Sequence, residues 1–384
     1  MQSIILQIAI MMILLVSVYI VVRHGSVRWL GTVPLPLFSF IAILFMSGLD
    51  AGLVMLPLND FPEYAANPDF AFASPVALEF GFWGFLVWLF YFVTAFYFCK
   101  IEPRLQLFEI WPIKFVNNCI TISTCAFTAY LFLINLPTYI IGISEWQRYL
   151  LTLVVVMASV YSSSKLTYLR FLSVLSTCLF LALIVGVWWD SQVGVVGFLN
   201  NVILVEDYFR NIHRFALPIN DFHEWYLLWW CAWSIMIGQF MAKFVGNLSS
   251  RQMVVSMMIV PSVLLAIWFA VLYGFYQTNT GVSAFWGNSM VVVAVLFMVT
   301  SLDSLVRLYS GNLNWTAERV GFAKYFISNT ALMMGLVILY LFTPLRIELV
   351  GMIVCGLYFV IIALMILRRK DLVGVLRDHP PAST

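Results

Sequence analysis

Trp225-Tyr226-Leu227-Leu228-Trp229-Trp230-Cys231-Ala232-Trp233 puts four tryptophans into nine residues of an apolar segment. Trp225, Trp229 and Trp233 recur every four residues, so on a helix they stack along one face, with Trp230 beside them. Indole faces inside a membrane helix attract a quaternary ammonium group. Such a cation has no N–H to donate, but the ring quadrupole holds it by about 2 kcal/mol per ring once water is excluded. Belt and cavity readings compete here, because tryptophan also collects at the membrane interface. Trp225, one residue inside its segment, is read as interfacial. Trp229, Trp230 and Trp233 lie one to two turns deeper and are read as lining a cavity.

The surrounding chain is membrane material. Of 384 residues, 63% are hydrophobic and 10% charged, with a mean hydropathy of +0.97. A soluble domain carries about 25% charged residues. Met1 to Val22 is apolar for too long, with too little leading charge, to read as a cleaved signal, and is taken as a first span. The six cysteines fall in or beside apolar segments without metal-ligand spacing and read as small buried hydrophobes.

Eleven stretches are long enough to cross about 30 Å of hydrocarbon: Ser3–Val22, Leu35–Pro57, Ala77–Cys99, Phe115–Leu136, Tyr149–Ser163, Phe171–Trp189, Glu224–Gly246, Met253–Tyr276, Ala284–Leu305, Tyr325–Phe342 and Ile347–Leu367. The fifth is short. Gln192–Leu217 mixes apolar residues with Glu206, Asp207, Arg210 and Arg214 and predicts an amphipathic helix lying in the interface. With the N-terminus outside, strict alternation places 16 of the 20 Lys and Arg on the inner side, Arg377 of the C-terminal tail among them. Only Arg148, Arg210, Arg214 and Arg346 fall outside. That asymmetry predicts an N-out, C-in protein of the cell (inner) membrane.

Three irregular places carry candidate chemistry. Gly48-Leu49-Asp50-Ala51-Gly52 sets two glycines and a carboxylate inside the second span. It reads either as an unwound stretch lining a cavity or as a close-packing small-residue face with Asp50 bonded to a neighbour. The tryptophan cluster is the second place. Val299-Thr300-Ser301-Leu302-Asp303-Ser304 is the third: its oxygens suit a hard cation, although Ser and Thr also bond back to their own helix. Glu79 reads as an outer-interface residue, with Trp83 one turn further on the same face as a further aromatic wall. No Walker motif, nucleophile elbow, HExxH or carboxylate pair is present, which argues against an enzyme. The scattered basic residues argue against nucleic-acid binding.

The run Trp229-Trp230-Cys231-Ala232-Trp233-Ser234 continues through Gly238-Gln239-Phe240-Met241-Ala242-Lys243, Ser250-Arg251, Val260-Pro261, Trp268-Phe269 and Tyr273-Gly274. It resembles the most recognisable stretch of the betaine/choline/carnitine transporter family. Arg23–Gly31, Phe45–Leu53, Leu199–Tyr208 and Thr300–Ser304 resemble further family patches in the right order. The resemblance implies an all-α polytopic protein of the LeuT-like 5+5 inverted-repeat type. It divides the chain into an extra N-terminal helix and loop (1–34), a first repeat (35–190), an interfacial helix (191–222), a second repeat (223–370) and a short cytoplasmic tail (371–384). It implies that Trp229, Trp230 and Trp233, with Trp83 and Asp50, bind a trimethylammonium group. Met46, Leu49, Phe297, Thr300 and Ser301 fall on the sodium site of sodium-coupled members. Family members are typically homotrimers.

The departures from the family pattern are specific. The usual first span and long charged termini are missing. Asp50 stands where glycine is expected, and Ile235 where proline is common. The aromatic pair of the third span is reduced, with Leu78 and Trp83 at the aligned positions. No glycine-rich break is evident in Ala129–Pro137 of the fourth span. Asp50 can replace sodium with a proton or pair directly with a cationic substrate. The expected activity is therefore secondary transport of choline-, betaine- or carnitine-like compounds. The coupling ion is H+ or Na+, no cofactor is needed, and the partners are the solute and the bilayer. A non-transporting sensor or complex subunit on the same scaffold is the alternative.

Overall fold

The computed structural model describes residues 2–375; Arg377 and the predicted tail beyond 375 lie outside the described residues. Each of the eleven predicted stretches coincides with helix. Eight helices among the described residues are long and apolar enough to cross a membrane. Glu145–Ser163 and Asp221–Ala242 add helices of 19 and 22 residues, and the second span adds the short apolar Leu37–Ser47. The chain is a multi-pass membrane protein.

Two spans are broken. The second stops at Ser47 and restarts as Gly52–Met55 and Pro57–Ala66, well past the predicted end at Pro57. The third, expected as one helix over Ala77–Cys99, splits into Pro75–Trp83 and Leu86–Phe96. Phe85 at the joint takes the left-handed φ of 45°, a conformation that costs about 1–3 kcal/mol in a non-glycine residue. The fourth span runs unbroken as Trp111–Tyr139, consistent with the missing glycine-rich break. The seventh span, Asp221–Ala242, is also continuous.

The expected interfacial helix is not a single helix. It forms three short ones, Val195–Ile203, Glu206–Arg210 and Ile212–Phe215. Tyr208 and Phe215 turn inward against Gly81 of the third span. Asn211 donates Nδ2 to the Phe72 carbonyl at 3.2 Å and the Asp207 carbonyl at 2.9 Å. Tyr208, Asn211 and Phe215 follow the i, i+3, i+7 spacing of one helical face, so all three reach the protein from the same side.

One small feature escaped the sequence reading. Arg28–Trp29 and Leu248–Ser249 form a two-residue antiparallel pair, tying the loop after the first span to the loop after the seventh. Trp29 is fully buried and donates Nε1 to Ser250 Oγ at 2.8 Å. Val33 N donates to the Lys243 carbonyl at 2.8 Å and Leu35 N to the Phe244 carbonyl at 3.1 Å. The start of the second span is thereby anchored to the end of the seventh.

The seventh span forms the axis of the core. It packs against the third span and against the last long helix, Ile347–Leu367. Gly351 permits that second approach: a Cβ there would come within 3.0 Å of both the carbonyl carbon and the Cβ of Leu228. Gly356, five residues on, faces open space. Gly351→Ala therefore forces a backbone shift of the kind that costs about 1–3 kcal/mol. It should lower the thermal midpoint in detergent by several degrees, whereas Gly356→Ala should leave it unchanged. Equal midpoints for the two variants would contradict the close packing.

Candidate functional site

Hydrocarbon offers no hydrogen bonds, so every carbonyl released by a broken membrane helix needs a donor from elsewhere in the protein. At the second-span break the donors to the carbonyls of Met46, Gly48 and Leu49 can be named. Ser301 donates Oγ to the Met46 carbonyl at 3.0 Å and also to the Leu49 carbonyl. Thr300 Oγ1 lies 3.5 Å from the Met46 carbonyl and 2.9 Å from that of Phe297. Tyr91 donates its hydroxyl to the Gly48 carbonyl at 3.1 Å. Asp50 Oδ1 accepts the Gly52 amide at 2.6 Å and so caps the restarted helix. Of the two readings of the glycine motif, the unwound stretch is the one the structure adopts.

This arrangement brings together all five residues predicted for a cation. The carbonyls of Met46, Leu49 and Phe297 and the hydroxyls of Thr300 and Ser301 form one cluster of neutral oxygens, linked by the hydrogen bonds just given. Hard oxygen donors of this type suit Na+ rather than a soft metal. The hydroxyl network continues inward from the cluster. Ser47 and Ser304 share a 2.6 Å bond. Asp303, fully buried, accepts from Ser162 at 2.5 Å and from Ser304 at 3.2 Å.

The aromatic residues are arranged differently from the expected box. A small cavity of about 40 Å³ is lined by Asp50, Gly52, Trp83, Tyr139, Trp225 and Trp229, among others. Trp83 meets Trp229 edge-on at 5.6 Å, and Trp225 lies 5.5 Å from Trp229. Trp225, expected at the interface, thus joins the wall. Trp230 and Trp233 are buried but do not line this cavity. Trp230 points to the third-span break and donates Nε1 to the freed Phe82 carbonyl at 2.7 Å. The cavity has room for water only, so a larger guest requires the aromatic walls to separate.

The third span holds residues that the sequence alignment missed by placing Leu78 in the aromatic pair. Trp88 and Tyr91 are fully buried. Their rings lie against the unwound stretch, where a Cβ on Gly48 would be 3.3 Å from Trp88 and 3.2 Å from Tyr91. Trp88 Nε1 donates to the Trp83 carbonyl at 3.2 Å, across the break. The signal was present in the order Trp83-Gly84-x-x-x-Trp88-x-x-Tyr91, and an unbroken helix was the wrong template for reading it.

Glu79 also departs from expectation. It does not reach the interface but is fully buried. Tyr64 donates its hydroxyl to Oε2 at 2.8 Å, and Oε1 has no partner. Tyr64 comes from the helix that extends the second span past Pro57, and that unforeseen extension covers Glu79.

The separate duties of the tryptophans are testable by stability alone. Trp230→Phe leaves the Phe82 carbonyl without a donor and should cost about 1–3 kcal/mol. Trp233→Phe should cost less, because the Trp233 Nε1 makes no hydrogen bond. Denaturation midpoints of the two variants in one detergent give the comparison, and equal losses would reject the wedge role of Trp230.

No family model matches the chain. It is 29% identical over 194 residues to the high-affinity choline transport protein of Escherichia coli K12, covering 40% of this chain and 28% of that protein. It is 23% identical over 296 residues to an ectoine/hydroxyectoine transporter of Virgibacillus pantothenticus, covering 66% and 59%. The chain thus spans less than two thirds of either relative. A Na+-coupled sialic acid symporter, solved in a substrate-bound outward-open state, shares its fold at a TM-score of 0.51 and 13% identity, covering 93% of this chain and 85% of the symporter. The break at Gly48, the oxygen cluster beneath it and these likenesses give the chain the LeuT-like inverted-repeat fold and a similarity to choline and ectoine transport proteins.

Proposed function

We propose that this chain is a secondary transporter of small quaternary-ammonium solutes, working by alternating access around the second-span break. One observation carries the reading. Asp50 lies on the unwound stretch and lines the same cavity as Trp83, Trp225 and Trp229, and no basic residue forms an ion pair with it among the described residues. Aromatic faces and an uncompensated carboxylate complement a cation that lacks N–H donors. The relative named for choline supports this solute class; the relative named for ectoine, an amidinium zwitterion with N–H groups, supports only the broader class of small cationic or zwitterionic solutes.

Coupling has two routes in this site. A proton on Asp50 neutralises the charge that would otherwise remain buried. A sodium ion among Met46, Leu49, Phe297, Thr300 and Ser301 does the same electrostatic work a few ångströms away. A cation that pairs directly with Asp50 must displace the proton. By linkage, its binding tightens as pH rises through the Asp50 titration and weakens as pH falls.

Uptake into proteoliposomes, with choline, glycine betaine and carnitine as substrates and with imposed pH or sodium gradients, tests the proposal. Asp50→Asn should abolish the pH dependence of choline uptake; unchanged pH dependence rejects the role of Asp50. Ser301→Ala should abolish any sodium stimulation while leaving proton-dependent uptake intact. Trp229→Leu should weaken binding by about tenfold or more, the scale of one desolvated cation–π contact. A wild-type protein that shows no tryptophan-fluorescence response to any quaternary ammonium, and that co-purifies with a stoichiometric partner, would point instead to a non-transporting subunit.

A further inference from the structure

Below the oxygen cluster, a second cavity of about 190 Å³ lies between the inner ends of several helices. Its lining includes Lys243, Arg307, Ser164, Thr316, Glu318 and Tyr325. Lys243 follows the seventh span, and Arg307 lies on the ninth, Ala284–Asn312. Thr300, Asp303 with Ser304, and Arg307 are spaced by three, four and seven residues along that helix, so they share one face. Arg307 sits about 10 Å inward of Thr300 at 1.5 Å per residue. The cavity is therefore the next polar station beyond the oxygen cluster on the inward side.

The two cations of this cavity have no contact ion pair among the described residues. Lys243 is half-buried, and its ammonium makes no hydrogen bond or ion pair among the described residues. Arg307 donates Nη1 to the Ser163 carbonyl at 2.9 Å and forms no ion pair. The nearest carboxylate inward of the cluster, Asp303, is bonded to Ser162 and Ser304. Glu318 on the lining is exposed to solvent and acts on Arg307 through space, without a contact ion pair to either cation among the described residues. Holding two like charges beside one cavity is unfavourable unless an anion sits between them. Tyr325 and Thr316 add hydroxyls to the lining, and Tyr325 already bonds Ser163 Oγ at 2.7 Å.

We infer that the Lys243–Arg307 cavity is an inner subsite for a small carboxylate, taking the acidic end of a zwitterionic solute on its passage to or from the inner face. The inference rests on the transport reading above and narrows it. A trimethylammonium solute that carries a carboxylate is attracted at this station, and choline, with a hydroxyl in place of the carboxylate, is not. The solute changes partners along the path: its cationic end belongs to Asp50 and the aromatic walls, its anionic end to Lys243 and Arg307.

The test separates the two readings. Saturation-transfer NMR with acetate on detergent-solubilised full-length protein probes the cavity without requiring transport. Acetate should bind the wild type, Lys243→Arg should retain binding, and Lys243→Gln combined with Arg307→Gln should lose it. In proteoliposomes, Lys243→Gln should raise the KM for glycine betaine measured from the inner side by about tenfold, the scale of one charge-assisted hydrogen bond. The KM for choline should stay unchanged. Acetate binding that survives the double substitution, or equal KM shifts for the two solutes, overturns the inference. Acetate binding with no transport of any quaternary ammonium would sink the transport reading and leave the anion site standing.

Discussion

The structure depends on one constraint: a backbone carbonyl inside hydrocarbon has to find a donor. Four residues of the second span, Gly48 to Ala51, leave the helix. Ser301, Thr300 and Tyr91 supply the donors that make this possible. Those donors come from the ninth and third spans, so the break fixes where three helices sit relative to one another. The Asp50 carboxylate accepts from the Gly52 amide and starts the next helix segment. The same hydrogen bonds that stabilise the break also expose carbonyls and hydroxyls that an ion can take over.

The third span repeats this device. Its break releases the carbonyls of Phe82 and Trp83, which accept from Trp230 and Trp88. On the other side of the joint, the amide of Phe85 donates to Ser262 at 2.8 Å. Tryptophan suits the first duty because it is donor-only and fills the space beside the break with apolar ring. The Trp229-Trp230 pair therefore splits its work. Trp229 keeps its ring for the cavity, and Trp230 spends its N–H on the backbone. A cluster that looks uniform along the chain divides by where each indole nitrogen points.

Composition and periodicity located nearly every helix, because a lipid-facing helix must be apolar over its whole length. The glycine motif around Asp50 and the Thr300-Ser301 pair were legible for a related reason: polar groups at that depth are costly and stand out. What stayed hidden was whatever depended on a distant partner. Glu79 reads as interfacial until Tyr64 is brought over it by a helix that runs past Pro57. The third-span break has no proline and only Gly84 to mark it, and it is supported by Ser262 and Trp230, which are remote in sequence. Trp225 lies near the end of its helix by count, yet the break opposite it opens the cavity that far out. The interruptions of the expected interfacial helix carry no such marker, although Tyr208 and Phe215 both pack against Gly81.

Charge is graded along the same axis. Asp50 and the buried Glu79 form no ion pair among the described residues. Lys243 and Arg307 lie beyond the oxygen cluster along the ninth span, neither in a contact ion pair among the described residues. Under the transport reading proposed above, a field of this sense pulls a cation toward the break and resists its passage past Lys243 and Arg307. It treats a zwitterion differently, since each end finds its complement in turn and net charge is never moved against the gradient. A pure cation needs its charge cancelled on the way, and protonation chemistry at Asp50 or ion exchange at the oxygen cluster are the two means within reach of these residues. Under the transport reading proposed above, the coupling ion and the solute charge become one question: a solute that brings its own carboxylate relieves the barrier at Lys243 and Arg307, and one that does not needs its charge cancelled at Asp50 or at the oxygen cluster.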